Sequence, residues 1–247
     1  PNRSLKWEET NSYNIGLDLA LFDNRVELIA DAYYKKTDNL LMQASLPTYV
    51  SGLIGAPWVN AGAMTNKGVE FTLNTRNILT HDFTWTSGLT FSINRNEVTK
   101  LYSESSAISG INGNETLTYT MVGEPVGQFY GYKVIGMFKE ESDFYKKDAD
   151  GNFQLDEAGN RIRIAIPKGQ QISKNGIWVG DYIYEDLHED GVIDEKDRTF
   201  LGNPAPKFTF GFNNYFAYKG FDLNIFLNGS VGNKAVNLIR RTFTDPM

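Results

Sequence analysis

The sequence predicts an all-β chain: a partial transmembrane antiparallel β-barrel with long extracellular loops. Three observations predict it. Six runs alternate apolar and polar residues over roughly the ten residues that a tilted strand needs to cross a bilayer. Short turns take turns with long connections. The composition suits strands and turns, with 16 Phe, 13 Tyr, 4 Trp and 23 Gly in 247 residues.

The elements follow in chain order. Tyr13, Ile15, Leu17, Leu19 and Leu21 alternate with Asn14, Gly16, Asp18 and Ala20. After the turn Asp23-Asn24 the pattern resumes on Val26, Leu28, Ala30, Ala32 and Tyr34, with Ile29 out of step on the other face. Two such runs joined by a short Asp-Asn turn predict a hairpin over 12–36. A second hairpin is predicted over 67–95. Its apolar sets are Val69, Phe71 and Leu73, then Phe83, Trp85, Leu89, Phe91 and Ile93. The third pairs Phe208, Phe210, Phe212, Phe216 and Tyr218 with Phe221, Leu223, Ile225, Leu227 and Val231; Asn214 and Tyr215 exchange character.

Connections assign the sides. Turns at Asp23-Asn24, Asn77 to Asp82 and Lys219-Gly220 are short, whereas Asp38 to Asn66 and Asn96 to Lys207 are long. In outer-membrane barrels the short turns are periplasmic and the long loops extracellular. The expected organisation is therefore barrel strands over 1–95 with an extracellular loop at 38–66, and an extracellular subdomain with short strands of its own over 96–206. A barrel hairpin and the start of the next loop occupy 207–247. The chain opens on Pro1-Asn2-Arg3 and stops at Pro246-Met247, which reads as an internal segment of a longer protein.

The apolar face would then meet outer-membrane lipid. Arg76, Glu70, Asp18, Glu27, Asp31 and Asp222 would point into the lumen, and Tyr13, Tyr34, Trp85, Phe208, Tyr218 and Phe221 would form interfacial girdles. A soluble all-β extracellular module, carbohydrate-binding or adhesive, produces the same alternation, but with shorter strands and the apolar face packed inward. The fate of Phe208, Phe210 and Phe212 separates the two readings.

Other classes are excluded or unsupported. A net charge of −6 argues against a nucleic-acid partner, which needs a basic face. There is no cysteine, so no disulfide or thiolate metal site exists. No apolar run reaches the length of a transmembrane helix. The two histidines, His81 and His188, occur without a nucleophile elbow, P-loop or zinc-protease motif, and the chain is read as non-enzymatic with no catalytic residue.

Several blocks resemble one family. Leu5-Lys6-Trp7-Glu8 with Asn14-Ile15-Gly16-Leu17-Asp18 is similar to a strand start of the SusC/RagA-like TonB-dependent transporters. So are Asn66-Lys67-Gly68-Val69-Glu70, Val122-Gly123-Glu124-Pro125 and Gly127-Gln128-Phe129-Tyr130-Gly131-Tyr132. Asp190-Gly191-Val192-Ile193-Asp194, then Asp197-Arg198-Thr199-Phe200-Leu201-Gly202-Asn203-Pro204, resembles the most recognisable stretch of that family's C-terminal region. The resemblance spans nearly the whole chain and counts against a passive porin. It implies late strands of a 22-stranded barrel in the outer membrane of a Gram-negative bacterium. It also implies a TonB complex acting through a plug absent from this chain, and a SusD-like surface lipoprotein partner. The implied activity is import of oligosaccharides or peptides.

One loop carries ligand spacing. Over 186–197, Asp186, His188, Asp190, Val192 (by its carbonyl), Asp194 and Asp197 fall at positions 1, 3, 5, 7, 9 and 12 of a calcium loop, with Gly191 at the sharp turn. Hard Ca²⁺ prefers such oxygen ligands, although His188 offers nitrogen and Asp197 is a methylene shorter than the usual Glu. The competing reading is an Asp-Gly turn whose carboxylates cap backbone N–H groups. Asp148-Ala149-Asp150-Gly151-Asn152 reads as a hairpin turn. Trp58, Tyr49, Trp178, Tyr182 and Tyr184, assigned to long loops, are candidates for contact with a substrate or partner; the competing role is packing the loops together.

Overall fold

The computed structural model describes residues 5–43, 58–102, 107–112, 115–237 and 239. Its strands are β1 (Glu9–Leu21), β2 (Val26–Gln43), β3 (Trp58–Leu79), β4 (Phe83–Lys100), β5 (Ile108–Asn112), β6 (Glu115–Thr120) and β7 (Gln128–Tyr132). There follow β8 (Val134–Met137), β9 (Ile166–Pro167), β10 (Tyr182–Tyr184), β11 (Val192–Ile193), β12 (Arg198–Gly202), β13 (Phe208–Tyr218) and β14 (Phe221–Val231). No described helix is long and apolar enough to cross a membrane. The chain divides into two compact units. One contains 1–113, 118–128 and 202–247; the other contains 114–117 and 129–201.

The first unit is built on a six-stranded antiparallel sheet in the order β1-β2-β3-β4-β13-β14. β4 pairs directly with β13, so the long intervening segment adds no strand to this sheet. Register carries the alternation across all six strands. The row Leu17–Ala30–Phe71–Phe91–Phe210–Gly229 is one set of partners on one face, and Leu19–Leu28–Leu73–Leu89–Phe212–Leu227 is the next. A slip of one residue would have mixed the faces, so the shared register is what makes the apolar band continuous.

This band is not a core. Phe210 and Phe212 are 36% and 37% exposed, Leu227 56% and Ile15 75%. Phe208 and Phe210 stack on neighbours within the same face, Phe91 lying 5.3 Å from Phe208 between ring centroids. A soluble module would have buried these rings, and that alternative is set aside.

Three turns lie at one edge of the sheet. Phe22, Asp23 and Asn24 all take positive φ between β1 and β2, and Lys219-Gly220 (φ 44° and 89°) makes the two-residue turn between β13 and β14. Such turns follow the right-handed twist of the paired strands. At the opposite edge the strands outrun the alternation. Loop had been expected over 38–66, but β2 continues to Gln43 and β3 begins at Trp58. The pairing passes register shifts at Thr37/Leu40 and Leu40/Leu41, where Asn39 has φ 60°. Backbone ladders need no apolar side chains, so pairing persists where the bilayer pattern stops.

The second unit is held by short pairings and an aromatic core. β8 pairs with β10 and β9 runs parallel to β11. β12 lies beside β7. Phe138 and Phe144 are buried with ring centroids 4.8 Å apart, and Trp178 stacks on Phe144 at 5.5 Å. Two matching turns project from it. Asp148 Oδ1 accepts from the Asp150 and Asn152 backbone, and Asp156 Oδ1 accepts likewise from Ala158 and Asn160.

Candidate functional site

The second unit presents a cleft of about 800 Å³. Pairing of β8 with β10 builds one wall, because Met137 lies opposite Tyr182 and Gly136 opposite Ile183, with a bulge before Tyr184. Ile135, Met137, Ile164 and Ile183 supply apolar lining. Two carboxylates of the lining are ion-paired: Glu185 takes Lys133 Nζ at 2.8 Å, and Asp143 takes Lys147 Nζ at 3.1 Å. N–H donors from Lys139 and Glu140, together with Lys147, hold the Asp143 carboxyl below its usual range. Burial pushes the Tyr184 phenol up, so it lines the cleft as a neutral hydroxyl.

One acceptor in the cleft is unmatched. Asp186 Oδ2 receives the Gly191 N–H at 2.9 Å, whereas Asp186 Oδ1 is buried without a hydrogen-bond partner among the described residues.

Asp186 also begins the acidic loop for which calcium-ligand spacing was expected. Among the described residues no three His, Asp or Glu side chains are grouped to hold a metal ion. Several of the loop's carboxylate oxygens accept from its own backbone. Asp197, 1% exposed, accepts from Leu187 N (3.0 Å) and Asp194 N (2.8 Å), with His188 Nδ1 at 3.5 Å. Asp190 Oδ1 accepts from Val192 N, and Asp194 Oδ1 from Lys196 N at the start of a one-turn 3-10 helix, Glu195–Asp197. Gly191 takes the positive φ of 82° that its place in the loop demands. The backbone donors, that of Asp194 foremost, hold the Asp197 carboxyl below its usual range. The loop is a self-capped turn in which these carboxylates accept backbone N–H groups.

The five aromatic candidates have separate fates. Trp58 is the first residue of β3 and 53% exposed, so it belongs to a strand rather than to a loop. Trp178 packs on Phe144 and has a structural role. Tyr182 sits in β10, 50% exposed, while Tyr184 stacks with Tyr132 at 5.7 Å. Tyr49 lies outside the described residues. The apolar lining of the cleft was missed in the sequence, because Ile135 and Ile183 become neighbours only through non-local pairing. The free acceptor belongs to the acidic motif, which spacing did single out.

In the first unit the other face of the six-stranded sheet is polar. Asp31 lies opposite Glu70, and Arg76 reaches Glu27 at 3.7 Å. Tyr33 Oη donates to Asn94 across Gly68. A wall that is apolar on one side and charged on the other, with its tight turns at one edge, is what a large membrane barrel requires.

A family model described as "TonB dependent receptor-like, beta-barrel" matches residues 1–238. The chain belongs to this family of TonB-dependent receptors. TonB-dependent receptor P3 of Formosa agariphila is 38% identical over 240 residues, covering 96% of the chain and 22% of that relative. TonB-dependent receptor SusC of Bacteroides thetaiotaomicron is 28% identical over 233 residues, covering 94% of the chain and 20% of that relative. The chain thus spans about a fifth of the length of these relatives. Among solved structures, that of the RagAB peptide transporter aligns with a TM-score of 0.64 at 23% identity, over 92% of the chain and 21% of the other. This is the same fold. The TonB-dependent receptor barrel places the chain in the outer membrane of a Gram-negative bacterium.

Proposed function

We propose that this segment forms part of the wall and outer vestibule of an active importer of oligomeric nutrients, glycans or peptides. The observation that carries the reading is the shared register of six strands, which gives one apolar face for lipid and one polar face for an aqueous lumen. A unit with a part-apolar cleft is inserted in the chain between β4 and β13.

The names of the relatives support the rest. Energy would come from a TonB complex acting through a plug carried elsewhere in the full protein, and a SusD-like surface lipoprotein would close the vestibule. This chain would supply surface and binding contacts, and no covalent chemistry is assigned to it. The test is growth of a deletion strain on single glycans or peptides as sole nutrient. Loss of growth on one cargo, restored by the intact gene, supports import of that cargo. Unchanged growth on every cargo, in a strain without a redundant importer, rejects the reading.

A further inference from the structure

The apolar face of the six-stranded sheet ends, on the long-connection side, in two cations set directly against each other. Val69 and Ile93 are register partners, and two residues further along the same face Lys67 is the partner of Arg95. No register shift intervenes. Both side chains are exposed. Like charges directly opposite on one sheet face are destabilising, and these two have no local neutralisation. Among the described residues neither has a carboxylate within the 4.0 Å of an ion pair. Glu97 shares the face two residues beyond Arg95 without closing on either cation, and nearby Lys36 is already matched to Asp38 at 3.0 Å.

Arg95 is also aimed. Its Nη1 donates to the carbonyls of Asn94 (2.9 Å) and Lys207 (2.8 Å), which pins one edge of the guanidinium to backbone. Among the described residues the remaining N–H groups of the planar fork have no partner, and they can meet a tetrahedral anion. The same register row contains Tyr13 and Tyr34, the aromatic pair expected at a membrane interface. A phosphate at this depth, next to acyl chains on the Val69 and Ile93 band, would satisfy both cations together.

We infer that Lys67 and Arg95 form a clamp for the phosphate headgroup of an outer-leaflet lipid. The full-length protein, purified in mild detergent, is given lipid A, enzymatically dephosphorylated lipid A or inorganic phosphate, and retained lipid is counted by native mass spectrometry. Phosphorylated lipid A should be retained, with retention falling at least about fivefold for the dephosphorylated form and for Lys67→Gln/Arg95→Gln, as expected for loss of charge-assisted bonds. Lys67→Arg should restore retention in the single-site background. The dephosphorylated-lipid arm needs no variant, so a folding defect leaves the idea testable. Equal retention of both lipid forms overturns the clamp. Displacement of lipid A by millimolar inorganic phosphate overturns the lipid as its occupant.

Discussion

Asn214 Oδ1 accepts the indole N–H of Trp85 at 3.1 Å on the outward face of the sheet, between Phe212 and Phe216. Ser87 Oγ donates to the same oxygen at 2.7 Å. An amide that interrupts a phenylalanine stripe in the sequence is therefore the acceptor that lets a tryptophan face the membrane with its donor satisfied. Asn214→Ala should cost about 1–2 kcal/mol, the price of leaving the donors unpaired. Asn213→Ala, on the other face, serves as the control. Denaturant titration of the folded barrel in detergent checks this, and equal loss in both variants contradicts it.

The facing of the sheet can be tested by charge. Phe71→Lys places an ammonium in the middle of the apolar band and should cost about 2–4 kcal/mol, against nearly nothing for Thr72→Lys on the polar face. Assembly into outer membranes, followed by heat-modifiable migration on gels, measures the difference. Equal assembly of the two variants would show that the faces are assigned wrongly.

Gly68 is held to hydrogen by its surroundings. A Cβ there would meet the Ile93 carbonyl oxygen and the Tyr33 ring at 2.5 Å. The carbonyl belongs to the ladder and has little room to retreat. Gly68→Ala should destabilise the barrel by about 1–3 kcal/mol, and Tyr33→Ala should not rescue it, because the backbone clash remains. Full rescue by Tyr33→Ala would show that the ring is the sole obstacle.

The acidic loop should respond to acid. The Asp197 carboxyl is held below its ordinary range by backbone donors in the folded loop, as are those of Asp148 and Asp156 in their turns. A depressed folded value means the stabilisation is complete above the ordinary carboxylate range and is lost as pH falls through the folded values. Hydrogen exchange at Leu187 and Asp194 should therefore stay slow at neutral pH and accelerate in strong acid. Asp197→Asn should exchange faster already at neutral pH. Protection that is flat with pH, or unchanged in the variant, would remove this role.

The cleft offers a functional test. Ile183→Asp adds an unpaired carboxylate to its apolar lining and should lower cargo uptake several-fold with surface display unchanged. Uptake equal to wild type at equal display would dissociate the cleft from import.

Legibility differed between the two parts of the chain for a physical reason. In the barrel strands the lipid face writes itself into every second residue, so the hairpins from Tyr13 to Tyr34 and from Phe208 to Val231 could be read directly. Even the exception at Asn214 was visible, although its reason was not, because Trp85 lies 129 residues away in sequence. Strand ends such as Leu40 to Gln43 were unreadable, since backbone pairing outside the bilayer leaves no alternation.

The sequence alone determined the all-β class, the membrane-spanning runs, the side with the short turns and the family. Each follows from a local period or a local motif. Tertiary structure decided three further things: β4 lies against β13 with nothing between them, Ile135 and Ile183 share a cleft, and the acidic loop turns its carboxylates onto its own N–H groups. Spacing can bring ligands to one loop, but only the folded backbone shows which donors reach those oxygens first.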